Sequence, residues 1–174
     1  VREAIYSNIA PQQLREIHLK IAEKWISAQI VESQKAIFAL AHHFNKVYEF
    51  GGFPDEGFGK RAILQNVAAG DSAWKAMALQ AAQRYFENAE TFVGKIPENL
   101  TDRRERLHIV ESLADLDAMQ RRYGNALRKY QSAMKIVETN EQRAAIAVKA
   151  NRLQMIAGQI SESMKMAGTV LENL

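Results

Sequence analysis

Four imidazoles are the most chemically versatile side chains in this sequence: His18, His42, His43 and His108. Two are adjacent, in the apolar stretch "ALAHHFN" from Ala39 to Asn45. Proton transfer or imidazole–metal chemistry would have to draw on these four. Adjacent residues of a helix point about 100° apart, so His42 and His43 do not grip one ion together; helical ligands need i, i+4 spacing. No carboxylate stands at the offset that would complete an H-E-x-x-H pattern. Helical register puts His43 toward Leu40 and Val47, and His42 toward Phe38 and Asn45. The pair, and His18 on the Leu14/Ile21 stripe, are therefore read as packing or hydrogen-bonding groups at helix seams. Catalysis by the pair is the minor alternative. It would need a carboxylate converging on His42 or His43 in a cleft, with a shifted pKa.

The stretch "GGFPDEGFGK", Gly51–Lys60, invites comparison with a phosphate-binding loop. Such a loop needs a glycine five positions before its Gly-Lys and a Ser or Thr after it. Pro54 and Arg61 occupy those positions, and no strand precedes them. Phe50, Phe53 and Phe58 are expected instead to pin a connector to the helices or to form a mobile tip. Basic clusters at Arg103, Arg104 and Arg106, and at Arg121, Arg122, Arg128 and Lys129, are interleaved with Asp102, Glu105, Glu111, Asp115 and Asp117. Without stacking aromatics they read as solvated faces rather than a nucleic-acid groove. Scattered Ser, Asp and His form no recognisable triad, so no catalytic residue, metal or cofactor is expected.

The 174 residues suffice for one domain or a short solenoid with a core. Apolar residues make up 47%, charged residues 25%, and the net charge of +3 is too small to suggest nucleic-acid binding. The absence of cysteine excludes a disulfide framework, a thiolate nucleophile and a Cys-ligated zinc site, and fits a cytoplasmic setting. No apolar run approaches the ~20 residues that span a bilayer, so no membrane partner is expected. The sequence opens at Val1 already in a helical pattern and is expected to be a piece of a longer protein.

Long helices are the natural reading, since turn residues are sparse. Leu14, Ile17, Ile21, Trp25 and Ala28 follow 3–4 spacing after Pro11, as do Ile37, Leu40, Ala41, Phe44 and Tyr48. Helix is expected to resume near Arg61, break at Gly70-Asp71 and run on to Val93. "GKIPENLTD" is a loop, with Thr101 or Asp102 as the next N-cap. Further turns are expected at "RRYGN", "ETNEQ" and "IAGQ". No segment alternates, so the fold class is all-α with about eight helices.

Ala82, Phe86 and Ala89 have the spacing A-x3-F-x2-A, and Ala126, Tyr130 and Ala133 repeat it. Small residues let one helix approach its neighbour while the aromatic fills the space between, as in tetratricopeptide hairpins. Ala114 supplies a small residue on the partner helix. The turns at Tyr123-Gly124 and Gly158-Gln159 stand 34–35 residues apart, a tetratricopeptide period. These features predict a right-handed stack of antiparallel helix hairpins.

In order along the chain, "VREAIYSNIAPQQLREIHLKIAEKW", "ALAHHFNKV", "NVAAGDSAWKAMALQAAQRYFENA" and "ISESMKMAGTVLENL" resemble the helical region of large STAND-class signalling ATPases. In that family a tetratricopeptide-like array follows an ATPase and winged-helix module and precedes sensor and output domains, often a histidine kinase. A serine/threonine kinase-like domain sometimes stands at the N-terminus. The match loosens at "YEFGGFPDEGFGKR". The resemblance implies a helical linker over 1–50, a Gly/Phe-rich loop over 51–60 and repeats over 61–174. No Walker or kinase motif is present, so this chain would be a non-catalytic interaction scaffold and coupling arm between ATPase and kinase output.

The concave face of a tetratricopeptide-like unit comes from its first helix, and in the best-matched unit that spacing selects His108, Glu111, Asp115 and Met119 as partner-contacting residues. Their partner would be another protein or a neighbouring domain. Met164, Ala167, Leu171 and Leu174 form an apolar stripe through which a homodimer could arise. The competing expectation is an effector-sensing arm of an ATP-dependent transcription activator, holding a small ligand within its superhelix.

Overall fold

Proline at a first helical position, followed by an i, i+4 run of Leu14, His18 and Ala22, sets the first helix, α1 (Pro11–Ser27). The structure is a computed structural model that describes residues 9–28 and 34–172. Six more helices follow: α2 (Gln34–Glu49), α3 (Glu56–Lys75), α4 (Leu79–Val93), α5 (Arg103–Met119), α6 (Tyr123–Ala133) and α7 (Asn140–Glu172). A 3-10 turn at Glu98–Leu100 interrupts the connector before α5. Among the described residues there is no strand, and the fold is all-α as expected. None of the described helices is long and apolar enough to cross a membrane.

The chain divides into two units, Val1–Asp102 and Arg103–Leu174. Within the first unit, α1 packs on α2, α2 on α3 and α3 on α4. Within the second, α5 packs on α6 and α6 on α7.

Three expectations need correction. The buried stripe of α1 is Leu14/His18/Ala22, turned from the Leu14/Ile17/Ile21 register, and Ile17 is 45% exposed. The fully covered Ala22 allows close approach, which favours that face over a bulkier one.

Second, half of the expected 51–60 loop is helix. Asp55 caps α3 by accepting a 2.7 Å hydrogen bond from the Phe58 backbone amide, so the helix starts at Glu56 and not near Arg61. It then passes through Gly70-Asp71 without a break, because Gly70 receives the ring of Phe86 from α4.

Third, Gly158-Gln159 is no turn but lies inside the 33-residue α7. Thr139 and Gln142 form a capping box at the start of that helix. The Gln142 amide donates to Thr139 Oγ1 at 3.2 Å, and Gln142 Oε1 accepts from the Thr139 and Glu138 amides.

The real break between α3 and α4 is Met77, at φ 57°, and its counterpart between α5 and α6 is Arg121, at φ 60°. Both close the same C-terminal motif. The Met77 amide donates to Trp74 O and the Ala78 amide to Ala73 O; the Arg121 and Arg122 amides donate to Ala118 O and Asp117 O. Gly70 and Ala114, Ala82 and Ala126, Phe86 and Tyr130, and Ala89 and Ala133 are likewise each 44 positions apart. All but Gly70 and Tyr130 of these are fully buried alanines or Phe86, and Tyr130 is 3% exposed. The A-x3-aromatic-x2-A reading therefore holds in both hairpins. The repeat length is 44 and not 34–35, because the connector from Gly94 to Asp102 is long and the Gly158 turn does not exist.

Candidate functional site

Two of the sequence's imidazoles meet, but they are not the adjacent pair. His18 of α1 and His43 of α2 approach Nδ1 to Nδ1 at 2.7 Å, so one ring donates and the other accepts. His42 flanks them, with its ring centroid 5.7 Å from that of His18 and 5.6 Å from that of His43. Trp25 stands edge-on to His43 at 6.1 Å, and Phe50 lies 6.0 Å from His18. His18 is 2% exposed, His43 half-buried and His42 exposed. Periodicity placed His18 on a buried stripe, but its partner lies 25 residues away and no local pattern encodes that contact.

Partial loss of hydration in the seam holds all three rings toward the neutral form, His42 included although part of its side chain reaches solvent. His18 falls from 6.5 to about 4, through burial first and then the neighbouring His43, His42 and Lys46, with Glu49 opposing. His42 is lowered by burial and Lys46, with Glu49 again opposing, and His43 by burial and His42. The Glu49 carboxylate is engaged by Lys46 at 2.7 Å. Among the described residues, no group of three His, Asp or Glu side chains has a geometry that could hold a metal ion. At neutral pH the cluster therefore presents uncharged rings bonded across a helix seam.

Amides continue that seam into α3. Asn66, fully buried, exchanges hydrogen bonds with Asn45 of α2: its Nδ2 donates to Asn45 Oδ1 at 2.7 Å, and Asn45 Nδ2 returns a bond at 3.1 Å. Asn66 also donates to Ala62 O, and Gln65 Nε2 donates to the Ile37 carbonyl at 2.9 Å. A buried amide pair of this kind fixes helix register, because sliding either helix would leave polar atoms unsatisfied. The stretch Ala39 to Asn45 thus carries, besides His43, a second residue bonded across a helix seam, Asn45.

The Gly/Phe-rich segment is packed. Phe53 lies 4.9 Å from both Tyr48 and Phe92, and Phe58 lies 4.6 Å from Phe44. Gly59 permits this: a Cβ there would stand 2.6 Å from Ile96 Cγ2 and 2.9 Å from Phe53 Cδ2. Gly52, at φ 80°, makes the turn, and its carbonyl accepts from Arg15 Nε at 3.1 Å. The N-terminus of α3 carries the Asp55 cap and Glu56, negative groups where a phosphate would have to sit. An open cleft of about 360 Å³ remains beside this turn, lined by Tyr48, Phe53, Asp55, Glu56, Lys95 and Ile96.

Of the four residues selected on α5, His108 and Met119 are exposed, Met119 by 47%. Glu111 and Asp115 are half-buried and tied to α7. Lys149 Nζ donates to Glu111 Oε1 at 2.8 Å and to Asp115 Oδ2 at 2.7 Å, while the Tyr130 hydroxyl of α6 donates to Asp115 Oδ1. Although burial opposes its charge, the bonds to Asp115 and Glu111 raise the Lys149 pKa; burial and the bond to Asp115 raise that of Tyr130. The four are therefore not one surface: two face outward and two join three helices.

The basic clusters also form local pairs. Arg122 binds the buried Asp117 at 2.7 Å, Arg128 donates to Asn125, and Arg103 lies 3.7 Å from Glu138. The stripe expected at Met164, Ala167, Leu171 and Leu174 falls outside the described side chains. An apolar face of α7 is nevertheless visible earlier, at Val148 and Met155, 66% and 67% exposed. Compared with protein-family models, curated proteins and solved structures, the chain matches none.

Proposed function

We propose that this chain is a non-catalytic helical-repeat segment of a larger ATP-dependent signalling protein. In this reading it is a cytoplasmic interaction scaffold and a coupling arm between ATPase and kinase output. The observation that carries the reading is the recurrence, at 44 residues, of one hairpin with the same αL break and the same small–aromatic–small seam. Repetition of a hairpin that buries its own seam favours a role in presenting surface and transmitting position. The engagement of His18, His43, Asn45, Asn66, Glu111, Asp115 and Lys149 in bonds between helices supports the same reading. Stacking of the hairpins into a right-handed solenoid belongs to this proposal.

Affinity capture with the chain as bait, in extract of the source organism, tests it. Retention of a signalling ATPase or kinase, or of a protein bound to one, is the expected result. Failure to retain any such protein would count against the reading.

The cleft beside Tyr48 and Phe53 favours a second reading, an effector-sensing arm holding a small ligand. A lining that combines Tyr48 and Phe53 with Asp55, Glu56 and Lys95 suits a small amphipathic molecule. Thermal-shift screening of metabolites, with a Phe53→Ala variant as control, separates the two readings.

A further inference from the structure

We infer that the His18–His43 contact is a proton-operated latch that holds α1 on α2 and opens when both imidazoles are charged. Two Nδ1 atoms at 2.7 Å share a single proton: one ring is a donor through Nδ1–H, and the other must keep its Nδ1 lone pair. The first added proton goes to the far nitrogen of the donor ring and leaves the hydrogen bond intact. The second has to go on the accepting Nδ1. Two N–H groups then face each other in a seam where His18 is 2% exposed, and the contact becomes repulsive.

The surroundings decide whether the seam can tolerate that charge. From α1, His18 itself enters the seam, with Trp25 beside His43. From α2 come His42, Lys46 and Glu49. Lys46 and a charged His42 would add to the repulsion, and Glu49, the anion among the described residues that acts on His18, is engaged by Lys46 at 2.7 Å. Past α2, the turn contributes Phe50, an apolar ring, and the Gly52 carbonyl, which accepts from Arg15 rather than from either imidazole. Burial and like charge both push against the doubly protonated pair. The seam between α2 and α3 rests on the neutral amides Asn45, Asn66 and Gln65, which do not titrate. Acid should therefore release α1 while α2, α3 and α4 stay associated.

The chain carries two tryptophans, one on each side of this division: Trp25 in α1 and Trp74 in α3. Trp74→Phe leaves Trp25 as the reporter, and Trp25→Phe leaves Trp74. Fluorescence of the two single-tryptophan proteins would be followed from pH 8 to pH 3. The expected result is a Trp25 transition below pH 6.5 that precedes the Trp74 transition. His18→Leu should move the Trp25 midpoint down by about one pH unit or more. His43→Gln, which keeps a polar partner but cannot be charged, should do the same and covers the case in which His18→Leu fails to fold. Coincident transitions of the two tryptophans, or a Trp25 midpoint unchanged in a folded variant, would overturn the latch.

Discussion

The ring of Phe86 lies directly on the backbone of Gly70: a Cβ at Gly70 would stand 2.8 Å from Phe86 Cζ and 2.9 Å from Cε2. Phe86 is fully buried between α3 and α4 and has no room to withdraw. Gly70→Ala gains about 1 kcal/mol in helix propensity but incurs an overpacking cost of ~1–3 kcal/mol. A net destabilisation of about 1 kcal/mol is expected in urea unfolding.

Gly158 is the opposite case. It lies inside α7 with nothing within 4 Å of an added Cβ. Gly158→Ala should stabilise by ~0.5–1 kcal/mol. A glycine that ended a helix at this point would give a loss instead, so the same denaturation experiment also checks the continuity of α7.

Met77 and Arg121 hold left-handed backbone conformations that cost an L-residue ~1–2 kcal/mol, and both are exposed. Glycine relieves that strain at some entropic cost in the unfolded chain. Met77→Gly and Arg121→Gly should each raise stability by up to ~1 kcal/mol, and by similar amounts. Unequal signs would break the equivalence of the two hairpins.

The seams of those hairpins are readable in the sequence, as are the connections at "GKIPENLTD", "RRYGN" and "ETNEQ", but the break at Met77 and the continuity of α7 are not. Ala82, Phe86 and Ala89 and their repeat were legible because a small–aromatic–small spacing has one sensible packing use. Gly70 and Gly158 were misread as stops because a glycine permits a turn, a close contact or neither, and only the neighbour decides. Arg121 stands in "RRYGN", where a turn is expected from the sequence, whereas its counterpart Met77 carries no local turn signal. At the candidate site, His18 and His43 were each assigned to a seam, but the contact between them depends on α1 folding back on α2. Glu111 and Asp115 looked like free surface because Lys149, more than thirty residues on, is invisible to helical periodicity.

Lys149 supports two carboxylates at once. Lys149→Met should destabilise by ~1–2 kcal/mol, discounted for its partial exposure, since Glu111 and Asp115 are then left half-buried without their cation. Tyr130→Phe reproduces the residue at the equivalent position, Phe86, and should lose only about 1 kcal/mol. A double-mutant cycle should show the two effects to be non-additive through Asp115.

Stability should fall at both ends of the pH scale, for separate reasons. The His18 pKa is depressed in the fold from 6.5 to about 4, so the unfolded chain takes up its proton first. The stabilisation is complete above about pH 6.5 and is lost as pH falls toward 4. Lys149 and Tyr130 are raised from 10.5 and 10.0, so the unfolded chain releases their protons first and stability declines as pH rises above about 10. Urea midpoints across this range should show an acid limb that shrinks in His18→Leu and an alkaline limb that shrinks in Tyr130→Phe.

The interaction role is tested most directly by capture with a paired variant. His108→Ala/Met119→Ala removes the two outward-facing residues of α5 and leaves the Glu111–Asp115–Lys149–Tyr130 network intact. Thermal melting would first establish that the variant is folded. The account predicts that the unaltered chain retains a signalling partner which the folded variant loses or binds at least tenfold more weakly. Equal retention by both, or no retention by either, would contradict it.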